Sequence, residues 1–181
     1  MTATEIKFGG FGGQGVILAG MIIGRAASLY NNKFATLTQS FGPEARGSAC
    51  SAQVIVSEEK ILYPYVTKPE ILLVMSQEAC NKFLPETTDD ATIIIEGDLV
   101  KPQGLKAGMK LYTIPATRLA EELGRKMILN IVMVGFFTAV TKLVAYEAAR
   151  EAVIASVPRG TEDINSRAFE RGYQYGLSIS Q

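Results

Sequence analysis

Seven residues near the amino terminus, Gly9-Gly-Phe-Gly-Gly-Gln-Gly15, restrict this chain more than any other stretch, because five of them are glycine. Glu5-Ile-Lys-Phe8 before them reads as a short strand. Val16 to Tyr30 after them reads as a buried helix rich in Ile, Leu, Ala and Met. Within the run, Gly10-Phe-Gly12-Gly-Gln-Gly15 matches GxGxxG in the strand-to-helix context that gives the motif meaning. Glycines let the backbone turn sharply and come close to phosphate oxygens, while the helix start offers N–H groups and partial positive charge. The same residues also suit a tight turn that holds no ligand, and the motif alone does not separate the two uses. Gly20 and Gly24, four apart on one helix face, predict a close approach to a strand or another helix.

The rest of the chain continues the alternation. Ala35 to Gln39 and Ala49 to Val56 read as strands. Glu58-Glu-Lys60 is expected to turn the chain into a short strand at Ile61-Leu62, so that a hairpin over Ala49 to Leu62 adds an antiparallel portion. Tyr63-Pro-Tyr-Val-Thr-Lys-Pro69 is an extended connector, since residues before proline avoid the helical region. Ile71 to Met75 and Thr92 to Ile95 are continuous apolar runs, the pattern of strands covered on both faces. A helix starts between them near Gln77 and stops before Pro85. Leu111 to Ile114 adds a strand. Helices follow over Thr117 to Leu123, Met127 to Val144, Tyr146 to Ser156 and beyond Thr161, the last with Thr161 as its cap and Glu162 and Asp163 in its first turn. The fold class is therefore α/β: one domain over 1–181, with a mixed, mostly parallel sheet, flanking helices and a Rossmann-like glycine-rich first turn.

Composition removes several kinds of chemistry. Lysine plus arginine equal aspartate plus glutamate at 18 each, so no global field draws the chain to nucleic acid or an acidic membrane. A phosphorylated ligand then needs a local device. The longest apolar stretch, Met127 to Val140, is broken by Asn130 and falls short of the roughly 20 residues a spanning helix needs. Met1-Thr-Ala-Thr-Glu5 lacks the basic start of a secretory leader, and a cytoplasmic location is expected. Histidine is absent, which removes Ser-His-Asp and Cys-His mechanisms and the histidine-bearing zinc sites. Cys50 and Cys80 are too few for an iron–sulfur cluster, which takes about four thiolates, and read as small buried groups.

Three further features bear on ligands. The second strand ends Leu37-Thr38-Gln39-Ser40 without the carboxylate that holds ribose hydroxyls in a dinucleotide fold, so standard NAD binding is disfavoured. No Gly-Lys-Ser/Thr follows the glycines, and Glu96-Gly-Asp-Leu99 falls short of a thiamine diphosphate motif, leaving Asp98 as a turn cap. The Ser40 to Ser48 loop holds Gly42, Gly47 and one charge of each sign, Glu44 and Arg46, with Phe41, Tyr63 and Tyr65 placed near it to stack on a base or fill an interface. Asn130, inside the most apolar helix, needs partners, which the backbone at the sheet edge, a ligand or a neighbouring subunit could each supply, with structural satisfaction the favoured reading.

Gly9 to Ala19, Phe41-Gly-Pro-Glu-Ala-Arg-Gly47, Tyr63-Pro64, Asn130 in its helix, and Val157-Pro-Arg-Gly-Thr-Glu-Asp-Ile-Asn165 followed by Ala168-Phe169 resemble, in order and over nearly the whole chain, the gamma subunit of 2-oxoacid:ferredoxin oxidoreductases. Ser48 stands where many relatives carry a glycine. Thr38-Gln39 and Gln77-Glu-Ala79 are most similar to the 2-oxoglutarate type, with the pyruvate and 2-oxoisovalerate types as neighbours. The resemblance implies a complex that decarboxylates a 2-oxoacid on thiamine diphosphate, passes electrons through 4Fe-4S clusters to ferredoxin, and gives the acyl group to coenzyme A. It implies thiamine diphosphate, magnesium and clusters on partner subunits, and alpha and beta subunits as partners, with a ferredoxin-like delta subunit as a further candidate. It makes Gly10, Gly12, Gly13, Gln14 and Gly15, with Gly42, Glu44, Arg46 and Gly47, candidate CoA-facing or interface residues. No catalytic or metal-binding residue is assigned. A free-standing nucleotide-binding reductase and a purely structural subunit are the rival readings.

Overall fold

The computed structural model describes residues 3–41 and 48–180. Its centre is built from the apolar runs. β1 (Thr4–Phe11), β4 (Ile71–Val74), β5 (Thr92–Glu96) and β6 (Lys110–Ile114) lie side by side in parallel. β3 (Ala49–Ser57) pairs antiparallel with β1 on its other side, and β2 (Phe34–Ser40) pairs antiparallel with β3 at the edge. The order is β2-β3-β1-β4-β5-β6, and β3 alone runs against the other five.

The expected antiparallel portion is present but arises differently. Residues 61–62 form no strand; instead β3 is paired on both sides by β2 and β1. The connector crosses to the start of β4 because Glu5 takes hold of it: its carboxylate accepts from the Thr67 and Lys68 backbone N–H groups at 2.7 and 2.8 Å. Tyr63 and Tyr65 accordingly line a cleft with Glu5, Ile55 and Ser57, at the end of the sheet away from Ser40, and not beside the Ser40 to Ser48 loop.

The continuous apolar runs fill both faces. Ile71, Leu73 and Ile94 join the main core, with α1 (Val16–Arg25, continued as a π-helix over Ala26–Tyr30), α4 (Leu129–Thr141), α5 (Tyr146–Ser156) and α6 (Glu162–Ile179). Leu72, Val74, Ile93 and Ile95 face a smaller core closed by Ala79, Cys80 and Phe83 of α2 (Gln77–Phe83). Each such side chain contributes about 1.5–3 kcal/mol when fully buried. The stop expected before Pro85 is a change of helix type: α2 gives way to a short 3-10 turn over Leu84–Glu86. α3 (Ala116–Glu122) and a 3-10 turn at Lys126–Ile128 lead into α4, whose residues 129–139 are all buried and which ends on Lys142 in the left-handed region.

Two expected caps differ. Thr161 precedes α6, yet its hydroxyl donates to the Pro158 carbonyl and accepts from Asn165 Nδ2, so it closes the preceding turn and does not cap the helix. Asp98 takes Nε and Nη2 of Arg118, at 2.7 and 3.0 Å, while the turn itself is held by Glu96.

Candidate functional site

β1 and β4 are adjacent and parallel, but their helices leave to opposite faces: α1 to the main core and α2 to the smaller one. Neighbouring strands that diverge in this way leave a crevice at their carboxyl ends, where open α/β sheets hold ligands. The glycine run sits in that crevice. Gln14 braces it: its side-chain oxygen accepts from the Phe11 N–H at 2.7 Å, and its Nε2 donates to the Met75 carbonyl at 2.9 Å. Gln14 thus binds its own protein.

The glycines divide by role. A β-carbon on Gly10 would lie 2.6 Å from Gln14 Oε1, and one on Gly15 only 2.2 Å from Asn130 Nδ2. Gly15 also needs a φ of +75°, and Asn130 Nδ2 donates to its carbonyl at 3.2 Å. Asn130 thereby meets its expected backbone partner. Gly12 and Gly13, by contrast, have open space where a β-carbon would stand. Of the five predicted loop residues, only these two are open in this way.

Two clefts meet over Gly13, with Lys126 and Met127 on the wall between them. The first, of about 520 Å³, is also bounded by Arg125, Asn130, Thr161 and Asn165. The second, of about 440 Å³, is bounded by Phe11, Met75, Leu99 and Leu129. Among the described residues no carboxylate lines either cleft, and α1 has no acidic residue in its first turn. Arg125, Lys126 and the helix start therefore set a positive local field in a chain of zero net charge.

Gly42, Glu44, Arg46 and Gly47 lie outside the described residues. The strands that flank them end at this same rim, where Ser40 pairs with Ser51 and Phe11 with Ala49.

Arg125 and Lys126 were missing from the sequence-based candidates, because nothing in their spacing marks a 3-10 turn folding back over a loop more than a hundred residues earlier. Glu96 was missed as well. Fully buried at the carboxyl end of β5, it accepts from the N–H groups of Asp98, Leu99 and Thr117 at 3.1, 2.7 and 3.2 Å. It thereby fixes Leu99, one wall of the second cleft. Its signal was a carboxylate directly after an apolar strand, a position where charge survives only with hydrogen-bond partners.

An iron–sulfur cluster does not fit these residues. Cys50 and Cys80 are both buried, burial pushes both thiols up, and no group of three or more metal-ligating side chains occurs among the described residues.

Comparison with known proteins places this geometry. Residues 5–175 match the family model described as pyruvate ferredoxin/flavodoxin oxidoreductase. The 2-oxoglutarate synthase subunit KorC of Methanocaldococcus jannaschii is 45% identical over 177 residues, 97% of this chain and 95% of that protein. The crystal structure of the keto/oxoacid ferredoxin oxidoreductase gamma subunit from Geobacter sulfurreducens superposes with a TM-score of 0.89 at 34% identity, covering 98% of both chains. A 2-oxoglutarate:ferredoxin oxidoreductase from Magnetococcus marinus, with 2-oxoglutarate, coenzyme A and succinyl-CoA bound, shares the fold at TM-score 0.84 and 20% identity, over 98% of this chain and 32% of that one. The chain belongs to the pyruvate ferredoxin/flavodoxin oxidoreductase family, as one of its gamma subunits.

Proposed function

We propose that this subunit serves a complex that oxidatively decarboxylates a 2-oxoacid, 2-oxoglutarate foremost, and that its own share is to hold coenzyme A at the crevice over Gly12 and Gly13. In the overall reaction the oxoacid anion and the CoA thiol give acyl-CoA, carbon dioxide and one proton, and two electrons pass to ferredoxin. The thiamine diphosphate, magnesium and 4Fe-4S clusters belong to the alpha, beta and ferredoxin-like partner subunits. The observation that carries the reading is that two clefts meet over the open Gly13, with Lys126 bordering both. The cleft with Arg125, Asn130, Thr161 and Asn165 suits the phosphates and ribose. The cleft walled by Phe11, Met75, Leu99 and Met127 suits the pantetheine arm. Lys126 borders both, where the pyrophosphate would lie between them.

In this reading the chain positions and does not react. Gly12 and Gly13 leave room for phosphate oxygens against the backbone, the start of α1 adds partial positive charge, and the cations counter the phosphates. Arg46, on the Gly42 to Gly47 loop, is proposed as a further phosphate or partner contact. The test is steady-state kinetics of the intact complex. Lys126→Ala and Arg125→Ala should each raise the KM for CoA about tenfold, the loss of one charge-assisted bond, with kcat and the oxoacid KM little changed. An unchanged CoA KM in both variants would remove the assignment. Arg46→Ala separates the loop's two uses: a raised CoA KM marks ligand contact, and lost assembly marks an interface.

A further inference from the structure

Three large apolar side chains border the second cleft and stay open to solvent: Phe11 at 37%, Leu99 at 42% and Met127 at 81% exposure. Leu99 sits in the strap Asp98-Leu-Val-Lys101 that follows β5. The strap belongs to no helix or strand, so ties to neighbouring elements decide where it lies. At its start the Glu96 carboxylate takes the Asp98 and Leu99 N–H groups. At its middle Val100, 1% exposed, seats in the smaller core.

The far end is held by Gln77, the first residue of α2. Its Oε1 accepts from the Lys101 N–H at 2.7 Å, and its Nε2 donates to the Lys101 carbonyl at 3.2 Å and to Asn81 Oδ1 at 2.8 Å. A side-chain amide has two donor hydrogens. Both are engaged within the chain, so Gln77 borders the cleft without a donor left for a guest. Two glutamines thus tie the walls of one cleft to the end of β4. Gln14 joins Phe11 to Met75, and Gln77, two residues past Met75, joins the strap that carries Leu99. Ser76 between them is locked as the cap of α2, its Oγ accepting from the Ala79 N–H at 3.2 Å. Walls fixed from one rigid point cost a flexible guest no ordering of its host.

We infer that Gln77 is a positioning residue: with Glu96 it holds Leu99 in place across the second cleft from Phe11, and Leu99 grips the apolar arm of the thiol substrate. Gln77 touches no substrate atom, and its effect on binding passes through Leu99. The inference rests on the reading of the crevice as the coenzyme A site.

Steady-state kinetics of the intact complex, with CoA as the varied substrate, tests it. Leu99→Ala should raise the CoA KM about tenfold, the effect falling on KM and not on kcat. Gln77→Met keeps the length of the side chain, loses its hydrogen bonds, and should raise the CoA KM about fivefold in the same way. The double variant is decisive. Acting through Leu99, Gln77 has nothing left to position, so the double variant should match Leu99→Ala at about tenfold and not reach the roughly fiftyfold of independent effects. An additive double variant, an unchanged CoA KM in Leu99→Ala, or a Gln77→Met chain that no longer assembles would each overturn the inference. Lys126→Ala tells this failure from that of the crevice reading. Where it raises the CoA KM and Leu99→Ala does not, the crevice stands and the role of the strap falls. Where neither moves it, both fall together.

Discussion

Gly15 carries two constraints of different origin. Its left-handed φ of +75° costs an alanine about 1–2 kcal/mol, and an added methyl would displace the Asn130 amide that bonds its carbonyl. Gly15→Ala is therefore expected to lower stability by about 2–4 kcal/mol in denaturant titration. The double variant with Asn130→Ala should lose less than the two single changes summed, because the clash then disappears while the strain stays. Strict additivity would refute the contact. GxGxxG was legible as a strand-to-helix turn, since that depends on neighbours in sequence. Which glycine packs and which stays open was not, because the partner of Gly15 lies 115 residues away.

Between elements, α4 and α6 approach each other backbone to backbone. A β-carbon on Gly172 would fall 1.8 Å from the Val132 carbonyl, and one on Gly135 2.0 Å from the Phe169 carbonyl. Backbone meets backbone there, so no side chain can turn aside. Gly172→Ala should cost about 3 kcal/mol or more, whereas Gly104→Ala, with open space around it, should cost only the strain of its positive φ. Matching melting curves would count against the crossing. α5 joins α6 by a polar tie: the Tyr146 hydroxyl donates to Glu170 at 2.5 Å, and its pKa is pushed up to about 12, first by that bond and then by burial. The neutral tyrosine is the form favoured by folding, so this contribution is full below about pH 10 and is lost as pH rises through about 12. Ultraviolet titration should show a late-ionising tyrosine that moves earlier in Glu170→Gln. The parallel strands were legible because a strand covered on both faces needs an unbroken apolar run. The expected strand at Ile61-Leu62 failed for the complementary reason. Leu62 faces solvent and Ile61 is only half-buried, and Glu5, outside that window, dictates the path of the connector.

For the molecule as a whole, a balanced charge count said only that any anion site must be local, and Arg125 and Lys126 beside the glycine loop supply a local concentration of positive charge. The need for partners was legible mainly from what the chain lacked: no histidine and too few cysteines for a cluster. The open edge of the sheet was not, since β2 reads as an ordinary strand until its place at the end of the sheet is known.

The brace made by Gln14 has a consequence for how binding proceeds. With Phe11 and Met75 tied together through one side chain, the loop reaches its working shape during folding, so a guest gives up its own freedom but takes none from the host. In the proposed reading, one end of a long, supple guest is anchored at this rigid loop, and its reactive end stays free to swing toward another subunit.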